Sequence, residues 1–199
     1  MKLSHLILLS IVSIAIFYIQ LWDHRIVIPL CLMILGTCMI YGSYIKEVNM
    51  IHISGIMFTF TALNHAVFEL GLINDSVPSE NQLLQGTIIY GTQLLFNIVT
   101  ALLLIFRVQF SRSISQSKDV ALTYFDGIFH WFFIYMGLMN LLAMLENIAW
   151  SYFEMKSWTF IYDNFEGLIY VAWSICCGTV LTMMICGAKS YTPQESELS

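Results

Sequence analysis

Glu69 follows His65 by four residues, one helical turn, so an imidazole and a carboxylate share a helix face and can share a proton. Glu146 stands beside Asn147 and one to two turns beyond Asn140. Gln93, Asn97 and Thr100 recur at i, i+4 and i+7, the spacing of a polar stripe along a helix. Glu166 follows Asp163 and precedes Tyr170 and Trp173. In water such groups are ordinary surface. In an apolar medium a carboxylate resists ionisation and can load a proton or cation, while carboxamides can hold a small polar solute. The question is therefore whether the elements that carry these residues lie at membrane depth.

Composition answers it. Of the 199 residues, 58% are hydrophobic and 11% charged, and the mean hydropathy is +0.76. A soluble domain carries about a quarter charged residues, so a water-soluble enzyme and a disordered chain are both excluded. Lys and Arg number 8 against 13 Asp and Glu. No basic face exists to neutralise phosphates, and nucleic acid is not an expected partner.

A helix needs about 20 apolar residues to cross a hydrocarbon core about 30 Å thick. Six segments satisfy this, over about 6–22, 26–44, 50–73, 83–106, 127–153 and 167–188. Pro29 falls in the first turn of the second, where a missing N–H costs little. The expected fold is all-α: a polytopic membrane protein, a bundle of six transmembrane helices. Residues 1–188 form a single six-span domain and 189–199 a polar tail. The opening run has no small-residue cleavage site and is read as a retained span.

Orientation follows from the basic residues of short loops. With the N-terminus cytoplasmic, that side receives Lys2, Lys46, Arg107, Arg112, Lys118 and Lys189, and the other keeps Arg25 and Lys156. Both termini are expected in the cytoplasm, with the chain in the cell (inner or plasma) membrane. Trp150, Tyr152, Phe153, Trp158, Phe160 and Tyr162 crowd the loop between spans five and six, a composition that suits the outer interface. The five cysteines all lie within spans two and six, which argues for packing rather than a disulfide framework.

On this topology Glu69 lies about 6 Å and Glu146 about 10 Å below the outer surface, at 1.5 Å per helical residue. Glu69, Glu146, Glu166 and His65 then gather in the outer half, above Gln93, Asn97 and Asn140. If the polar stripes face inward they enclose a chamber opening outward, and intramembrane ionisable residues by default mark function. The plainer reading of the carboxamides is hydrogen-bonding glue between helices, worth about 0.6 kcal/mol each.

Three functions fit. The first is a small transporter or channel, in the bilayer and as a homo-oligomer, passing a proton, cation or small polar solute. The second is an intramembrane enzyme acting on a lipid or isoprenoid, with a buried Glu as general acid; no HExxH or GxSxG motif supports it. The third is an assembly, sensor or immunity protein working through its surfaces. Cofactor content is open: His52 and His130 could face each other across a haem, and Glu69, His65 and Glu146 could hold a divalent metal. A buried polar cavity joining spans three, five and six would favour the first two functions, and a dry, fully packed interior the third.

Phe58-Thr59-Phe60-Thr61, Glu146-Asn147-Ile148 and Glu166-Gly167 resemble fragments of urea and short-chain-amide channels, also six-span chains of this size. Each match is a few residues long, and the termini of those channels face outward. No residue role is carried over.

Overall fold

The computed structural model describes residues 3–22, 24–73, 81–115, 120 and 122–196. Every element among them is a helix: α1 (Leu3–Trp22), α2 (Val27–Tyr44, entered through a 3-10 turn at His24–Ile26), α3 (Val48–Glu69), α4 (Gln82–Ile105), α5 (Arg107–Ser115), α6 (Asp126–Tyr152) and α7 (Phe160–Ser196). An apolar chain in lipid must satisfy its backbone internally, and continuous helix does so. α2, α3, α4, α6 and α7 are long and apolar enough to cross a membrane. The apolar stretch of α1, Leu6–Gln20, is shorter. Spans two to six of the sequence reading correspond to α2, α3, α4, α6 and α7. Lys2 and Lys118, which entered the orientation argument, lie outside the described residues.

Five helices close a ring. α2 packs on α3, α3 on α4, α4 on α6, α6 on α7, and α7 returns to α2, while α1 lies against α7. Being flanked on several sides, α7 has 56% of its apolar window buried, against 17% to 39% for the other four spans. The helices are apolar outward as well as inward. Ile7, Ile11, Ile14 and Tyr18 form an exposed stripe on α1, whereas Cys31, Leu35, Cys38 and Gly42 form the buried stripe of α2. Inside the ring Phe133 of α6 meets Trp173 of α7 edge to face, centroids 6.0 Å apart. Buried hydroxyls turn back on their own helices: Ser54 donates to Met50 O at 2.7 Å, Thr100 to Phe96 O at 2.7 Å and Thr182 to Gly178 O at 2.8 Å.

The helix ends have local causes. α2 stops in a Schellman motif, with Glu47 N–H donating to Gly42 O at 2.9 Å and Lys46 in the left-handed region at φ 58. α3 stops the same way at Glu69, four residues short of the expected span's end. Gly71 takes φ 67 there, and Leu72 N–H reaches Val67 O at 3.1 Å. The expected third span continued to Ile73, because hydropathy alone does not see a left-handed glycine. Asn81 caps α4 by accepting from Leu84 N–H at 3.0 Å. At the other extreme the helix of α7 runs on to Ser196, so the polar tail is helical to that point.

Candidate functional site

The acidic residues singled out by sequence lie at one end of the ring and engage separate partners. Asn49 and Asp126 sit at the starts of α3 and α6; Glu69 and Glu146 each stand 20 residues further along the same helix, about 30 Å away at 1.5 Å per residue. Glu69 is the last residue of α3. Its side chain is 70% exposed and lies 4.0 Å from Nε2 of His65. Glu69 stands at the negative end of the helix dipole, with the His65 ring the nearest polar group on its own helix face.

Glu146 does something else. Its carboxylate accepts from the backbone N–H of Ile161 at 3.1 Å and of Tyr162 at 2.7 Å. These are first-turn amides of α7, which have no acceptor within their own helix. Glu146 is thus a cap supplied by a neighbouring helix, favoured also by the positive end of the dipole. This is why α7 starts at Phe160 rather than near Gly167. Thr159 and Asp163 complete the turn through a 2.8 Å bond from the Thr159 hydroxyl.

The remaining expected residues are dispersed. Asn140 is buried and donates to Met136 O of its own helix at 2.8 Å, and its Oδ1 has no partner among the described residues. Gln93 and Asn97 are half-buried on α4. Glu166 is exposed and accepts from the Tyr170 hydroxyl at 3.5 Å. Asn147, by contrast, bridges helices, donating to Leu83 O of α4 at 3.2 Å. Among the described residues no hydrogen bond or ion pair links Glu69, Glu146 and Glu166 to one another. Nor does any group of three His, Cys, Asp or Glu side chains there converge on a metal position. His130 Nδ1 lies 3.0 Å from Asp126 O on its own helix.

The densest polar construction is at the opposite end of the ring. Arg107, the first residue of α5, is 0% exposed. Its guanidinium grips Asp126 at the start of α6 through two parallel bonds, Nε to Oδ1 and Nη2 to Oδ2, the latter 2.7 Å. Nη1 donates to Oδ1 of Asn49 in α3 at 3.2 Å. Asp126 is further satisfied by the backbone N–H and hydroxyl of Thr123, at 2.7 and 2.8 Å. Fork-to-fork pairing is the geometry in which a guanidinium and a carboxylate can be buried together. Three segments remote in sequence are thereby pinned at one point: the start of α3, the α4–α5 junction and the start of α6.

Beside this pin lies a cavity of about 630 Å³. Asn49, Met50 and Ile53 of α3 form one wall, Leu122 to Phe125 before α6 a second, and Met183, Cys186 and Gly187 of α7 a third. Glu47 completes the polar edge, its Oε1 accepting from Asn49 Nδ2 at 3.3 Å. Leu122 and Tyr124, 78% and 93% exposed, leave the rim open. The volume is that of a site for a small ligand. A cavity between α3, the segment before α6 and α7 therefore exists at the end opposite the expected chamber, but it is open and largely apolar rather than the buried polar cavity expected. None of Glu69, Glu146, His65, Asn140, Gln93, Asn97 or Glu166 lines it.

Sequence reasoning counted Arg107 as a loop charge and passed over Asp126. A signal was present. Thr123-x-x-Asp126 has capping-box spacing directly before an apolar run, and Arg107 directly follows the apolar end of α4. No protein family, curated protein or solved structure matches the chain.

Proposed function

We propose that the chain is a small multi-span membrane protein that receives a small solute in the cavity between the starts of α3 and α6 and the late turns of α7, as the binding station of a transport or permeation route. The observation that carries this reading is the cavity itself: about 630 Å³, open at the rim, with Asn49 of the Arg107–Asp126–Asn49 pin in its wall. The bond from Arg107 to Asn49 fixes that wall at the start of α3. Phe133 and Trp173 are buried and packed edge to face within the ring, and passage past them would require a conformational step.

Six crossings, with α1 as the sixth, and both termini in the cytoplasm belong to this proposal. The Lys/Arg distribution supports it, since Lys46, Arg107 and Arg112 all lie at the cavity end. The cavity then opens to the cytoplasm of the cell. The bilayer and further copies of the chain are the proposed partners. Glu146, as a helix cap, and Glu69, as an exposed helix end, favour a second reading in which the outer end is structural and the chain is an assembly or sensor protein.

Reconstitution separates the two. Liposomes holding the protein should admit at least one of a panel of small polar solutes, protons and monovalent cations faster than empty liposomes, and Leu122→Trp at the rim should slow that entry. Flux equal to empty liposomes across the whole panel would overturn the transport reading and leave the assembly reading.

A further inference from the structure

We infer that the cavity at the Arg107 end takes a monovalent cation with an apolar body, an alkyl- or aryl-substituted onium or amine rather than a hydrated inorganic ion or an anion. The inference rests on the proposed solute-binding reading and names the class of solute. Its first ground is charge. Glu47 is the charged residue among those that line the space. Arg107 does not line the space; it is buried and held by the Asp126 carboxylate in a bidentate pair. Glu47 occupies the N-cap position of α3, yet its side chain makes no capping hydrogen bond. Among the described residues it accepts from the Asn49 amide at 3.3 Å, which leaves a carboxylate with acceptor capacity at the cavity edge.

The second ground is the character of the walls. Met50, Ile53 and Met183 are buried and apolar, and Phe125 and Tyr124 bring aromatic rings. A strongly hydrated ion would lose its water here and regain too few oxygen ligands. An onium group shielded by hydrocarbon loses little water and is attracted by aromatic faces and polarisable thioethers. One carboxylate and a soft wall together select charge sign and body type at once.

Cys186 provides the readout, because it lines the cavity while Cys31, Cys38, Cys176 and Cys177 are buried elsewhere in the core. Alkylation of Cys186 in the full chain, in detergent and in liposomes, is followed by mass spectrometry with tetraphenylphosphonium, its isosteric anion tetraphenylborate, and neutral tetraphenylmethane derivatives as competitors. The expected result is protection of Cys186 by the phosphonium and little by the borate. Glu47→Gln should raise the phosphonium concentration needed by about tenfold or more, the loss of one contact to a charged group. Equal protection by cation and anion, or protection by the cation that Glu47→Gln leaves unchanged, would overturn the cation assignment while sparing the solute-binding reading. Protection by none of the three, or a Cys186 that does not alkylate until the protein is unfolded, would overturn both.

Discussion

Arg107 and Asp126, 19 residues apart in sequence, meet in a buried bidentate pair whose Nη2–Oδ2 distance is 2.7 Å, and Asn49 of α3 joins them from the side. A pair of this kind is costly to break and not costly to replace. Removing one partner strands a charge in the interior at about 3–5 kcal/mol, whereas exchanging both for apolar residues of similar size is often neutral. Arg107→Met and Asp126→Leu should each lower the thermal midpoint in detergent sharply, and the double variant should recover most of the loss. Simple addition of the two single effects would show that the pair does not act as a unit.

The Glu146 cap gives a second expectation. Glu146→Ala leaves the Ile161 and Tyr162 amides without their acceptor and should cost about 1–2 kcal/mol, as lost caps do. Glu146→Gln keeps an acceptor oxygen and loses the interaction with the helix dipole, so its cost should be smaller. Amide hydrogen exchange would report the change locally, with faster exchange at Ile161 and Tyr162 and little change at α3. Uniform acceleration throughout the bundle would contradict a local capping role.

Gly86 marks the tight contact of α4 with α6. A Cβ there would stand 2.5 Å from Nδ2 of Asn147, the group that donates to Leu83 O. Gly86→Ala must therefore displace the amide, at about 1–3 kcal/mol for overpacking. Adding Asn147→Ala should relieve the clash, so the double variant unfolds later than Gly86→Ala alone. An unaltered midpoint in Gly86→Ala would show that the helices part without cost.

Lys46 holds the left-handed position that ends α2, at φ 58. Glycine adopts that conformation without a Cβ penalty, and Lys46→Gly should stabilise the chain by about 1 kcal/mol. The thermal midpoint should rise; a fall would mean that the lysine side chain contributes more than its backbone costs.

The helical class and five of the span positions were legible because twenty-residue apolar runs admit few alternatives in lipid. Helix ends were legible only where polarity changed. Gly71 ended α3 inside an apolar run, and Glu146 started α7 early from another helix, both effects invisible to a hydropathy window. Periodicity placed Glu69 and Glu146 at the same end of the bundle, as the helices have them, but could not tell that each is engaged on its own. The Arg107 pin was hidden for the opposite reason: flanking loops are where charges are expected, so a buried one there drew no notice. The cavity depends on helix neighbours, and periodicity does not encode which helices are neighbours.

The central claim is that the binding station opens at the Arg107 end of the ring. Labelling Cys186 with a membrane-impermeant thiol reagent, in sealed vesicles of both orientations, tests it most directly. Modification is expected from the face that carries Lys46 and Arg112, proposed as cytoplasmic, while the other cysteines stay unmodified until unfolding. Modification from the opposite face, or none from either face in the folded protein, would contradict it.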